Sequence, residues 1–150
     1  MIRDFRTLKE LLLQSDHRNA VIDDCVSLID TEVAGKKGLG GVAVKGVYSI
    51  LKKIRPGMVR GATDHLLDSF VEEMEPFYED WQNGSPDSIE TLFEKRANEI
   101  ADSLLTVTDQ RAARARNRTL KKAYEKLRPQ AVKHTAAAVP GIGRIIAKYH

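Results

Sequence analysis

Hydrophobic residues along this chain recur every three or four positions, the spacing of one face of an α-helix, and nowhere alternate with polar ones over the length of a strand. Leu8, Leu11 and Leu12 open a first helix. Val21, Ile22, Cys25, Val26, Ile29 and Val33 carry a second, with Ser15 and Asp16 as its N-cap. A third pattern, Val44, Val47, Tyr48, Leu51 and Ile54, stops at Arg55-Pro56-Gly57, where proline's missing N–H and glycine's freedom break the helix. A fourth runs from Met58 to about Trp81 through Leu66, Leu67, Phe70, Val71, Met74, Phe77 and Tyr78, with Pro76 as a kink. Asn83-Gly84-Ser85-Pro86 then punctuates the chain: asparagine and glycine stop one helix, serine caps the next, and proline takes its first turn.

From Asp87, the positions Ile89, Leu92, Phe93, Ala97, Ile100, Leu104, Leu105 and Val107 read as one long helix that turns basic between Gln110 and Arg118. Thr119 caps a further helix, carried by Leu120, Tyr124 and Leu127 as far as Pro129. The run Val139-Pro140-Gly141-Ile142-Gly143-Arg144-Ile145-Ile146 closes the chain as a short helix. The expected fold is therefore all-α, a compact bundle of about six or seven helices with short loops and proline-kinked junctions. Its 150 residues suit a single helical domain, 1–150, around one core.

Composition narrows the class. Hydrophobic residues at 42% beside charged ones at 30% describe a chain that buries enough apolar surface to fold. The opening MIRDFRTLKELLLQSD breaks its apolar positions with charges, so it reads as neither a signal peptide nor a spanning segment, and a cytoplasmic protein is expected. The lone Cys25 agrees with a reducing compartment and excludes a cysteine metal site within one chain.

Charge changes the picture more. Residues 1–35 hold four Lys/Arg against seven Asp/Glu, residues 36–60 seven against none, residues 61–110 two against thirteen, and residues 111–150 eleven against one. A net charge of +3 thus conceals blocks of alternating sign. In one reading, acidic and basic helices lie side by side and their exposed pairs contribute about 0–1 kcal/mol each. In the other, a basic face stays free for an anionic partner such as nucleic acid, lipid headgroups or an acidic protein. Alternation favours the first, because the chain supplies its own counter-charge. For the second, Arg111, Arg114 and Arg118 share a helical face, which Lys121, Lys122 and Lys126 continue if the helix stays straight. Such a row suits phosphate contacts. Zinc-finger spacing, a helix-turn-helix pattern and aromatic residues between the arginines are all missing, so base-specific reading of DNA is not expected. Val42 to Arg55 and the run Ile142, Ile145, Ile146, Tyr149 each resemble a basic interfacial helix on an anionic membrane, although any core-facing helix shows the same pattern.

The stretch AGKKGLGGVA, residues 34–43, contains G-x-G-x-x-A and glycines at Walker spacing. A dinucleotide fingerprint needs a strand leading in, and here a helix does; Gly41 and Val42 stand where a P-loop needs Lys and Ser or Thr. What remains is an interhelical loop, or at most a helix N-terminus near Gly41 that holds an anion with Lys36, Lys37 and Lys45.

No catalytic motif is present. None of His17, His65, His134 and His150 has a glutamate three positions before it, as a di-iron bundle requires. The carboxylates Asp64, Asp68, Glu72, Glu75 and Glu79 share one side of a helix, a pattern commoner as a solvated face than as a metal site. No G-x-S-x-G elbow, H-E-x-x-H helix or C-x-x-C pair occurs, and Cys25 sits on the apolar side of its helix as a structural thiol. Catalytic residues, cofactors and metals are therefore all left unassigned. Tyr78 and Trp81, beside Pro76 and Phe77, are the candidate lining of a small interhelical pocket, or else an aromatic core cluster.

The segments VAVKGVYSILKKIRPGMV, LLDSFVEEMEPFYEDW, ADSLLTVTDQRA and AVPGIGRIIAKYH together resemble a small bacterial family of unknown function, commonest in actinobacteria and about the length of this chain. The resemblance covers nearly all of the sequence and implies a stand-alone helical domain with no assigned activity or site residues. The expected role is a non-catalytic interaction module, using complementary acidic and basic faces on a protein partner or on a second copy of itself. The alternatives are a non-specific binder of nucleic acid or anionic membrane through the basic helices, and a small-molecule binder or enzyme with its pocket near Trp81.

Overall fold

The computed structural model describes residues 6–54 and 57–150, with the backbone alone at 39, 40, 51 and 54. Among these residues the fold is all-α and without strands: α1 Leu8–Leu12, α2 Ser15–Ala34, α3 Gly38–Ile54, α4 Met58–Gln82, α5 Ile89–Lys95, α6 Ala97–Ala113, α7 Arg118–Leu127 and α8 Ala131–Tyr149, the last preceded by a 3-10 turn at Arg128–Gln130. The helix break expected at Arg55-Pro56 lies outside the described residues. No helix among the described residues is long and apolar enough to cross a membrane.

Short polar side chains start several of these helices by accepting from otherwise unpartnered N–H groups. Thr7 accepts from the N–H of Glu10 at 3.1 Å, and Ser88 from that of Thr91 at 3.1 Å. Asn117 accepts from Thr119 and Leu120 at 2.9 and 3.2 Å. Three expected caps are thereby displaced. α2 starts at Ser15 itself, behind Gln14; Ser85 lies in the loop, where its hydroxyl accepts from the N–H of Asp87; and Asn117, not Thr119, opens α7.

The long helix expected from Asp87 is two helices. Arg96, at φ −106° and ψ 23°, ends α5 and begins α6. Its guanidinium bonds Asp80 at 2.7 Å and Glu99 at 3.0 Å and lies 4.6 Å over the Phe77 ring, which fastens the bend to α4. α4 itself continues through Pro76 to Gln82. The proline removes the N–H that would bond the carbonyl of Glu72, and its ring crowds that carbonyl.

The closing helix is long rather than short, 19 residues that pass through Pro140, Gly141 and Gly143. These glycines are contact points. A Cβ at Gly143 would stand 3.1 Å from the Cα of Glu90 and 3.2 Å from the Cβ of Phe93, and one at Gly141 would stand 2.3 Å from a Leu28 methyl. Bare backbone at these positions lets α8 run close against α5 and α2, and α8 also packs on α6 and α1. One apolar cluster results, built from α1, α2, α4, α5, α6 and α8, in which Leu8, Val71, Phe93, Ile100, Val139 and Ile146 are fully buried. The N-terminus of α1 is held onto it by Glu75, whose two carboxylate oxygens both accept from the Leu8 N–H at 2.9 Å.

α3 and α7 stand outside that cluster. α7 has no buried residue, and the two helices pack on each other. α3 also leans on α2 and α4, and α7 on α6.

Candidate binding surfaces

α7 is amphipathic, with Leu120, Ala123, Tyr124 and Leu127 half-buried and Arg118, Lys121, Lys122 and Lys126 exposed. A polar network fixes it to α6. Arg128 grips Asp109 with two bonds, Nε to Oδ1 at 2.8 Å and Nη2 to Oδ2 at 3.0 Å. The Tyr124 hydroxyl donates to the same carboxylate and lies 2.8 Å from the Thr108 hydroxyl. Arg128 first and Tyr124 second hold the Asp109 carboxyl below its usual range, while burial and Asp109 raise the Tyr124 phenol.

The seven cations between Arg111 and Lys126 do not share this pairing. Among the described residues, Arg111, Arg114, Arg116, Arg118, Lys121, Lys122 and Lys126 are in no ion pair; of the cations from Arg111 onward, Arg128 and Lys148 alone are. The acidic block finds its partners elsewhere: Asp64 and Asp68 share Arg18, Asp80 and Glu99 share Arg96, Asp87 meets Lys95, and Asp109 meets Arg128. Side-by-side neutralisation of the two large blocks, which the alternation favoured, is thus confined to the Arg128–Asp109 pair. The single basic helical face also needs correcting. α6 ends at Ala113, with Arg114 as its C-cap, and α7 begins at Arg118, so Arg111 and Arg118 belong to different helices. Arg111 and Arg114 line a shallow cleft opposite Glu72 and Glu73, while Arg118, Lys121 and Lys122 lie along α7.

At the glycine stretch a helix leads in and a helix leaves, so the segment joins α2 to α3. Gly38, at φ +75°, supplies the left-handed step. A Cβ at Gly41 would stand 2.7 Å from the Lys36 carbonyl carbon, so that glycine permits close backbone passage. The Gly41 N–H donates to the Lys37 carbonyl at 3.2 Å and is not free for an anion. Lys36 lies 3.6 Å from Glu32, whereas Lys37 and Lys45 are exposed and in no ion pair. α3 is tied to α2 by Tyr48, whose hydroxyl donates to Asp30, and by Lys52, 3.2 Å from the same carboxylate. Its outer face exposes Val42 and Ile50, at 70% and 49%, the large hydrophobic residues most open to solvent among those described.

The acidic ladder is divided between structural duties. Arg18 bridges Asp64 and Asp68, Glu75 holds α1, and Glu72 and Glu79 stay exposed. No group of three or more His, Cys, Asp or Glu among the described residues is placed to hold a metal ion.

Tyr78 and Trp81 belong to an aromatic stack. Their ring centroids lie 5.7 Å apart, His150 meets Trp81 edge-on at 5.0 Å, and the Trp81 indole N–H donates to the Asp87 carbonyl at 2.9 Å. Tyr78 is fully buried there. An apolar cavity of about 320 Å³, open on one side to solvent, lies between α2, α3, α4, α6 and α8. Leu28, Ile29, Phe70, Leu105, Ala138 and Ile142 are among its walls, with Glu32, Lys36 and His134 also on its lining. Cys25 lines it too, and burial first, then Asp24, pushes its thiol up to about 11. A protonated thiol of that kind is a poor nucleophile.

A family model described as a family of unknown function, DUF6918, matches residues 8–150. The chain belongs to this family. No curated protein and no solved structure matches it.

In this DUF6918 chain the cavity is what sequence reasoning missed. Its walls come from five helices, and each lining residue looks locally like an ordinary apolar-face position. Lys36, singled out as an anion contact at the glycine stretch, does return as one of its polar groups.

Proposed function

We propose that this protein is a non-catalytic interaction module that associates through charge complementarity, the basic surface of α7 on one copy meeting the acidic outer face of α4 on another. One observation carries the reading: among the described residues, both charge sets are without an ion pair. Arg118, Lys121, Lys122 and Lys126 are in no ion pair, and neither are the exposed Glu72 and Glu79. A second copy therefore offers each face its complement. Made twice about a two-fold axis this contact gives an isologous pair; made once per interface it builds chains or rings. It is also weak, because exposed pairs contribute about 0–1 kcal/mol each and act mainly on encounter rate and specificity. A reducing, cytoplasmic setting suits the free Cys25.

Sedimentation velocity tests the proposal. Association that grows with protein concentration is expected at low salt, with loss to monomer at about 1 M salt, where the Debye length is about 3 Å. A monomer at every concentration in low salt contradicts it.

The exposure of Val42 and Ile50 beside Lys45 and Lys53 on α3 favours a second reading, contact with an anionic membrane surface. Flotation with vesicles containing phosphatidylserine, and none with phosphatidylcholine alone, is its signature. Binding to duplex DNA that weakens steeply with salt would instead move the basic surface to nucleic acid.

A further inference from the structure

The cavity between α2, α3, α4, α6 and α8 has the make-up of a ligand site rather than of a hydrated gap. Two of its three threonine hydroxyls are engaged within the protein: Thr63 donates to the Val59 carbonyl at 2.7 Å, and Thr108 lies 3.1 Å from the Leu105 carbonyl and 2.8 Å from the Tyr124 hydroxyl, while Thr135 is the third. Water in the space finds few polar partners on its largely apolar walls, so hydrocarbon displaces it at little cost. At about 320 Å³ it falls at the small end of ligand pockets, which span about 300–1,000 Å³. The charged part of the lining is Lys36, Glu32 and His134. The Lys36–Glu32 contact is long at 3.6 Å, and both Lys36 and Lys133 act electrostatically on His134, where burial and these two cations disfavour a bound proton. On the lining itself the Lys36 ammonium is offset by the Glu32 carboxylate, and the exposed Lys133 adds a second cation near His134.

We infer that this cavity binds the tail of a single-chain anionic amphiphile, a straight-chain carboxylate of medium length, with its head at the Lys36 ammonium. The hydrocarbon replaces the missing core packing, and the carboxylate competes with Glu32 for the Lys36 ammonium. This inference is independent of the proposed self-association, because no cavity residue lies on the exposed α7 or α4 faces invoked there.

The test is isothermal titration calorimetry of the full chain with hexanoate, octanoate, decanoate and dodecanoate below their micelle concentrations, together with the rate of Cys25 alkylation by iodoacetamide. Saturable one-to-one binding is expected, tightening about fourfold per added methylene until the cavity is full and levelling beyond that length. Decanoate is expected to slow Cys25 alkylation. Ala138→Phe, which fills the cavity, is expected to abolish binding while the far-UV circular dichroism is retained. Lys36→Gln is expected to weaken decanoate several-fold and leave decanol unchanged. Absence of saturable binding, affinity that climbs without a plateau, unaltered Cys25 alkylation, or full affinity in Ala138→Phe overturns the site. Equal loss of decanoate and decanol in Lys36→Gln overturns the assignment of the head. If Ala138→Phe does not fold, the chain-length plateau and Cys25 protection in the unaltered protein decide.

Discussion

Gly61 and Gly143 both lie inside helices, yet alanine has opposite effects at the two. Around Gly61 nothing stands within 4 Å of an added Cβ, so Gly61→Ala gains helix propensity alone and is expected to stabilise by about 0.5–1 kcal/mol. At Gly143 the same Cβ meets the Glu90 Cα at 3.1 Å, fixed backbone that cannot swing aside, and the overpacking costs about 1–3 kcal/mol. Urea midpoints of the two variants check both signs. Glu75 is a third decisive residue. Glu75→Ala leaves the N-terminus of α1 without its acceptor and is expected to destabilise by about 1–3 kcal/mol, whereas Glu72→Ala, on the exposed side, falls within about 0.5 kcal/mol of the parent. Sequence periodicity separated apolar from polar positions well at this scale: Leu8, Leu11, Leu12, Leu67, Val71, Met74 and Phe77 were expected on buried faces and are buried. It had no means of telling Glu75 from Glu72, because the difference lies in what another helix brings to each carboxylate.

At the scale of elements, α8 is closed onto α2 by Asp24, which accepts from the Tyr149 hydroxyl at 2.6 Å and from the Lys148 ammonium at 3.0 Å. Burial alone would raise the Asp24 carboxyl; the bonds from Tyr149 and Lys148 outweigh it, and the net shift is downward. Burial first, then Asp24, raises the Tyr149 phenol to about 12. A lowered carboxyl stabilises fully above its unfolded pKa, about 3.9, and loses that contribution as pH falls through the folded value. A raised phenol stabilises fully below its unfolded pKa, about 10, and loses its contribution as pH rises toward 12. Tyr149→Phe is therefore expected to lower stability by about 0.5–1.5 kcal/mol near neutrality and to flatten the alkaline limb of a melting-temperature profile between about pH 10 and 12. An unchanged alkaline limb would remove this closure from the account. Helix boundaries were the less legible part of the sequence. The apolar period runs on across Arg96, so nothing local announced the bend, and the closing helix, expected to be short, extends over 19 residues, with a close approach of α5 and α2 at Gly143 and Gly141 that has no trace in the neighbouring residues.

At the scale of the whole molecule, charge is sorted by contacts far apart in sequence. Asp24 meets Lys148, Asp23 meets Arg60, and Arg18 meets Asp64 and Asp68, so α2 and α4 draw their partners from across the chain, and among the described residues no side chain of α7 is in an ion pair. The blocks themselves were plain in the sequence; which of them neutralise one another was not, because helix spacing fixes neighbours only within one helix. The central claim is that the unpaired surface of α7 and the unpaired outer face of α4 are made for each other in different copies. One charge-swap measurement tests it most directly. A first variant carries Arg118→Glu, Lys121→Glu and Lys122→Glu; a second carries Glu72→Lys and Glu79→Lys. By sedimentation velocity at low salt, each variant alone is expected to be monomeric, and their equimolar mixture to regain association, because both faces of one variant then complement the opposite faces of the other. Association of either variant alone at the level of the parent, or a mixture that stays monomeric, would contradict the account.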